Sequence, residues 1–410
     1  MSDVWAEWQR RRVLPLTAEA ASLPDAASIP PREWLYGTRL IRRFVSVLAA
    51  PGGVGKSALA LGVAVALATG KEILGERVHH SVPVWVLNLE DPLEELHRRV
   101  AALMRLHGLP REAVAGRLFL HSGRTRRLTM AALDAADATV AHPDRAAVID
   151  ACLAAGIGLV VVDPFVKSHR LDENSNAHMD AAATAWAEVA QATGAAILLV
   201  HHVRKGAVGD VDAARGAKSL TDAARAAFLL SVMSPEEAQS LSVPERDRWR
   251  HVRLDDAKAN LAPRGETARW FRLETVALGN CSPDYPNGDQ VAAVTPWTPP
   301  SPFRGLSAAD CNRALDLIAA GPGAGMAFSA HRTGRGGGDR WAGRVLVQHF
   351  SHDEGAAARV IAAWLRSGLL EEAPYHDGQQ RKTRLGVRVV DAKRPDGGRS
   401  VNKLQQGQET

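Results

Sequence analysis

Residues 50–57 read APGGVGKS, and this stretch constrains the fold more than any other in the chain. Gly52, Gly53 and Gly55 stand just ahead of Lys56 and Ser57. Glycines so placed let backbone N–H groups converge on a phosphate, the lysine reaches the outer phosphate oxygens, and the hydroxyl suits Mg²⁺. The arrangement needs a strand before it and a helix after it, because the helix N-terminus supplies part of the anion site. Both flanks comply: RFVSVLA (43–49) reads as a strand, and 55–69 reads as a helix. Ala50 takes the place of a first glycine, a mild departure, since the later glycines lie nearest the phosphates. The candidate nucleotide-binding segment is therefore Ala50, Pro51, Gly52, Gly53, Val54, Gly55, Lys56, Ser57 and Ala58. TGRGGGDRW (333–341) is also glycine-rich but lacks GK[ST], and reads as a plain loop.

The pattern around the loop predicts an α/β fold. VPVWVLNL (82–89), IGLVVVD (157–163) and AAILLVHH (195–202) are short runs apolar on both faces. They alternate with helical segments at 92–108, 146–156 and 178–193. Such runs suit a mostly parallel sheet covered by helices on both sides. The runs at 224–233, 248–254 and 268–278 alternate more and have no long helices between them, which predicts antiparallel strands extending the sheet. The expected organisation is a lead-in (1–38), an ATPase core (39–278), a proline-rich linker with six prolines (279–305), a second unit (306–392) and a disordered tail (393–410).

Chemistry concentrates at predicted strand ends. LVVVDPF puts Asp163 after four apolar residues, where a carboxylate would order the Mg²⁺ shell together with Ser57. VWVLNLEDP ends on Glu90 and Asp91; Pro92 suits a first helical turn, and Asp91 is expected to cap that helix. His201 and His202 end a further strand. Adjacent strand residues point to opposite faces, so the pair is a poor metal site. His202 is the better candidate for a hydrogen bond to the γ-phosphate.

No apolar run reaches the ~18 residues of a membrane span, and the N-terminus lacks the apolar segment of a secretory signal. Three scattered cysteines fit a reducing, cytoplasmic setting. Residues 301–410 carry 16 Lys/Arg against 11 Asp/Glu, which accounts for the whole formal charge of +5. A polyanionic partner for that region is expected.

APGGVGKS, LNLEDP, LVVVDPF, LLVHHVRKG, ARGAKSLTDAAR and DAKANLAPRG follow one another in an order that resembles RepA-like hexameric replicative helicases, plasmid and phage relatives of the RecA/DnaB ATPases. The resemblance covers about residues 34–278 and implies a RecA-like P-loop NTPase core in a homo-oligomeric ring, with ATP between neighbouring subunits. In the RecA-type arrangement the strand after the P-loop helix delivers the water-orienting carboxylate, which makes Glu90 the candidate. RGAKS resembles the family's finger segment and gives Arg215 the role of a cation reaching into the neighbour's site. Lys258 and Asn260 match a family position near the same interface. Rings of this type line their channel with loops that here would be 167–176 and 203–219, and Arg204, Lys205 and Lys218 would grip the backbone of single-stranded DNA.

The basic C-terminal unit resembles a winged helix: helices at 307–319, 340–350 and 354–367, then a hairpin. Val360, Ile361, Trp364 and Leu365 form the apolar stripe of its third helix, with Arg359 and Arg366 expected on the exposed side. In the hairpin, Leu385, Val387 and Val389 are expected inward, with Lys382, Arg384 and Arg388 outward. That placement would offer these basic residues to duplex DNA.

Overall fold

The computed structural model describes residues 18, 20–134, 139–203, 220, 223–262, 268–323, 325–332, 338–378 and 381–395. It divides the chain into two compact units. The larger runs to Val232 and resumes at Trp249–Thr298, and the smaller joins Met233–Arg248 to Pro299–Thr410.

In the larger unit, β1 (Val45–Ala50) leads through the phosphate loop into α1 (Lys56–Thr69). Then follow β2 (Val84–Asn88), α2 (Leu93–Leu106), β3 (Leu118–Ser122), α3 (Arg145–Ala154) and β4 (Leu159–Asp163). After these come α4 (Asn176–Thr193), β5 (Ala196–His202), β6 (Ala226–Val232), β7 (His251–Ala259), β8 (Arg269–Ala277) and β9 (Gln290–Pro296). All nine strands form one sheet, in the order β9-β8-β7-β6-β1-β5-β4-β2-β3. From β6 to β3 every pairing is parallel, and β7, β8 and β9 extend the other end antiparallel.

Period-2 alternation sends side chains of one strand to two separate cores. Leu159 and Val161 pack with the apolar Leu59–Ala68 stretch of α1 on one face, and Val160 and Val162 pack with α3, α4 and the fully buried Trp186 on the other. Helix α1 is buried nearly all round and ends at Gly70, whose φ of 74° and N–H bond to the Ala66 carbonyl close the last turn. Among the described residues, no helix is long and apolar enough to cross a membrane.

Several expectations change. The run at 226–232 is parallel to β1, so in the nine-stranded sheet the antiparallel pairings begin only at β7. Strand β3 had no signal strong enough to separate it from its flanks. Residues 34–38, expected in the lead-in, belong to the core unit: Trp34–Tyr36 pair with Leu40–Ile41, and Leu35 and Tyr36 are buried in the core. The expected linker contains β9, which pairs with β8 from Ala277↔Gln290 to Phe271↔Pro296. Prolines around VAAVT masked this strand; an edge position tolerates them because one side of the ladder needs no N–H donors.

The smaller unit adds α5 (Pro235–Ser240), α6 (Ala308–Ala320), α7 (Gly343–His349), α8 (Glu354–Arg366) and the hairpin β10 (Leu370–Asp377)–β11 (Lys382–Val389). Ser234 and Ser307 begin their helices with reciprocal capping boxes. Phe328 lies between α6 and α7 in sequence, and its carbonyl accepts the Val387 N–H, so this segment is tied to the hairpin. Residues 393–395 were expected in the tail, but Arg394 is buried against Asp316 (2.9 Å) and Asp391 (2.6 Å).

Candidate functional site

The sheet is packed on both faces, and its strand register brings distant residues to one edge. Ala50 pairs with His202 across β1/β5, and Asn88 with Asp163 across β2/β4. Strand β5 stands between the phosphate-loop strand and the Asp163 strand. The loop, both acidic strand ends and the histidine pair therefore open on the carboxyl edge of the parallel strands, where α/β folds bind ligands.

Within the loop, Gly53 and Gly55 adopt φ values of 80° and 89°. Successive left-handed glycines turn N–H groups toward a common point, and the first N–H groups of α1 add to it. A Cβ on Gly55 would also lie 3.0 Å from Leu273. Ala50 is the final, fully buried residue of β1, in extended backbone, so a glycine there is not required. A cavity of about 410 Å³ abuts Gly53, Gly55, Lys56, Ser57 and Ala58. Its opposite walls are Glu95, Arg98 and Arg99 of α2 and Asp289–Ala292 at the start of β9. That size lies within the ~300–1,000 Å³ range of small-ligand sites.

Lys56 and Asp163 are both buried beside the loop. Burial pulls the Lys56 ammonium down, while Asp163 and Glu90 oppose that shift. Burial raises the Asp163 carboxyl above the usual range, against a Ser57 hydroxyl hydrogen bond and the Lys56 charge. Both shifts have one cause: two charges taken from water with an incomplete set of partners. A hydroxyl bonded to a buried carboxylate is an oxygen donor pair that suits Mg²⁺. Ser57 and Asp163 fit that ion.

Glu90 is exposed at the rim and interacts electrostatically with Lys56, Asp163 and His202. Its turn is held by Asn88, whose buried side-chain oxygen accepts the N–H groups of Glu90 (3.1 Å) and Asp91 (2.7 Å). Arg124 bonds the Glu90 carbonyl at 2.7 Å. Asn88 escaped the sequence reading; an Asx turn at a strand end was its available signal. Asp91 does not cap α2. Pro92 is the cap residue, without a side-chain bond, and the Asp91 carboxylate pairs with Arg99 at 2.8 Å.

The two histidines diverge, as adjacent strand residues must. His201 is buried beside Phe165, and burial holds its ring down at about 4. His202 is exposed and faces the cluster, its pKa lowered by desolvation and then by Lys56. Among the described residues, no group of three or more metal-ligating side chains comes together. Lys258 lies on β7, and the Asn260 N–H donates to the Arg225 carbonyl. Arg215, Arg204, Lys205 and Lys218 lie outside the described residues.

In the smaller unit, the basic residues are less free than expected. Arg359 is half-buried, with Nε and Nη1 shielded from water, because the helix face bearing Gly355 and Arg359 packs on the 239–240 backbone. Arg384 lies 3.4 Å from the buried Asp377, and Arg388 pairs with Glu371 at 2.9 Å. Arg366 and Lys382 are exposed. Val387 is buried, but Leu385 is 62% exposed, because the distal half of the hairpin extends past the core.

Residues 9–208 match a family described as an AAA domain, a span that holds the loop, Glu90, Asp163 and His202. The match supports a P-loop ATPase core. A solved structure of a KaiC-like protein from the hyperthermophilic archaeon Pyrococcus horikoshii is similar over 62% of this chain and 91% of that chain, at 13% identity and a TM-score of 0.39.

Proposed function

We propose that this protein hydrolyses ATP at subunit interfaces of a ring, and that the cycle moves single-stranded DNA, as in a replicative helicase of a plasmid, phage or integrated element. One observation carries the ATPase reading: the sheet order brings the phosphate loop, Asp163, Glu90 and His202 to one edge. The loop N–H groups and Lys56 grip the β- and γ-phosphates. Glu90 accepts a hydrogen bond from water, which attacks the γ-phosphorus. The bond to the β–γ bridging oxygen breaks, its electron pair stays on ADP, and the water proton passes to Glu90 or the released phosphate. Ser57 and Asp163 would hold Mg²⁺, which supplies charge neutralisation at the phosphates. His202 senses the γ-phosphate, and Arg215 of a neighbouring subunit completes the site.

Arg204, Lys205 and Lys218 are the proposed DNA grip of the core, and a hexamer the proposed assembly. A second reading, a DNA-binding initiator whose ATPase is only a switch, draws on the smaller unit. Helix, the Phe328 segment tied to the hairpin, two helices and the hairpin itself follow the order of a winged helix. Arg366 and Lys382 are its available cations for duplex DNA. A strand-displacement assay separates the readings: a motor displaces a strand, and Lys56→Ala abolishes both displacement and hydrolysis. DNA-stimulated hydrolysis without displacement would defeat the motor. Unchanged hydrolysis by dilute Arg215→Ala protein would defeat the shared site.

A further inference from the structure

Edge strand β3 ends against the turn that carries Glu90. Ser122 pairs with Asn88 across β2/β3, and the segment Ser122–Gly123–Arg124 donates to three carbonyls of that turn. The Gly123 N–H reaches the Asn88 carbonyl at 2.8 Å, Arg124 Nε the Glu90 carbonyl at 2.7 Å, and the Ser122 hydroxyl the Asp91 carbonyl at 2.6 Å. On the other side, the Asn88 side chain accepts the N–H groups of Glu90 and Asp91, and Asp163 accepts that of Leu89. The backbone of residues 88–91 is thus held through its donors by the buried acid side of the site and through its carbonyls by β3.

The three donors are not alike. Ser122 is buried, and its hydroxyl also accepts the Arg124 N–H at 3.2 Å, which fixes the start of the Arg124 side chain. Gly123 is required by close approach: a Cβ there would lie 2.7 Å from Leu89 Cα and 2.9 Å from the Leu89 carbonyl oxygen. Arg124 is exposed, and among the described residues its guanidinium has the Glu90 carbonyl as its one partner. A hydrogen bond at the surface adds little to folding, because water replaces it when it breaks. It does fix where the Glu90 backbone stands relative to Lys56 and Asp163, and an error of about 1 Å in such a position can cost up to ~100-fold in rate.

We propose that Arg124 is a positioning residue for hydrolysis: it aims the Glu90 carboxylate by holding the Glu90 backbone, with Ser122 and Gly123 as its fixed base. The inference rests on the ATPase reading above and adds what places the water-orienting group. The test uses the full chain, with steady-state ATP hydrolysis, thermal unfolding and amide hydrogen exchange. Arg124→Ala is expected to lower kcat about 10-fold, to leave KM and Tm unchanged, and to speed exchange at the Glu90 and Asp91 amides. Arg124→Lys, which can still donate to the carbonyl, is expected to recover part of kcat. The decisive comparison is on a Glu90→Gln background, where adding Arg124→Ala is expected to lower the residual rate by less than about 2-fold, because two residues acting as one unit are not additive. An undiminished 10-fold loss on that background overturns the inference, as does a raised KM at unchanged kcat, or wild-type hydrolysis by Arg124→Ala. Failure of the ATPase reading looks different: hydrolysis would survive both Lys56→Ala and Glu90→Gln while exchange at Glu90 and Asp91 still responded to Arg124→Ala, which would keep the clamp and remove the reaction it serves.

Discussion

Asn88 stands opposite Asp163 across two parallel strands, and the next N–H along, that of Leu89, donates to the Asp163 carbonyl at 2.8 Å. Asn88 also accepts the N–H groups of Glu90 and Asp91. One buried carboxamide thus sets the turn that carries Glu90 relative to the buried acid. Asn88→Ala is expected to lower kcat for ATP hydrolysis about 10-fold with little change in KM, because positioning is lost and phosphate binding is kept. Stability should fall by ~1–3 kcal/mol from the unsatisfied N–H groups. Asn88→Asp keeps the acceptor and should recover part of kcat. Steady-state kinetics and urea unfolding of the three proteins check this.

Asp163 is a buried acid whose pKa is raised chiefly by desolvation. A carboxyl with a raised folded pKa supports the fold most fully below its unfolded pKa and loses that support as pH rises through the folded one. Asp163→Asn is therefore expected to raise the Tm of nucleotide-free protein near pH 7.5 by about 2–4 °C, and to give no gain at about pH 3.5. Hydrolysis should be lost. Calorimetry at both pH values and a phosphate-release assay give the comparison, and a lower Tm near pH 7.5 would contradict it.

His169 and His201 are both buried, with pKa values held down at about 4 by desolvation. Unfolded, each titrates near 6.5. The unfolded chain then binds more protons than the fold between those values, so stability is full above pH 6.5 and falls toward pH 4, by at most ~3 kcal/mol per histidine. His201→Gln removes one titration and should flatten the Tm–pH curve over pH 4–6.5. A curve as steep as that of wild type would show that His201 does not carry the effect.

Arg394 is a buried cation near the end of the described chain, paired with Asp316 and Asp391. Breaking a buried pair by deleting one partner is costly, and Asp316 keeps some solvent, so Arg394→Ala should destabilise the smaller unit by ~2–3 kcal/mol. A chain ending at residue 392 should behave alike, and one ending at 396 should match wild type. Hydrogen exchange of α6 in wild type, the Arg394→Ala variant and the two shortened chains reads this difference.

The local grammar of the chain was legible without coordinates. APGGVGKS and the apolar runs announce their elements, because backbone freedom at glycine and side-chain periodicity act over a few residues. That Asp163 and the histidines end strands could also be read from the runs before them. What the sequence left open depends on pairing between segments far apart. Strand β9 hid among prolines because only its edge position makes them harmless, and Asp91 turned from a cap into the partner of Arg99. Arg359, exposed by helical periodicity, is sheltered because residues 233–248 return to pack on its helix. The convergence of Lys56, Glu90, Asp163 and His202 required strand order and register. Those arrangements follow from which apolar faces bury best together, a free energy summed over the whole core and not readable from any one window of residues.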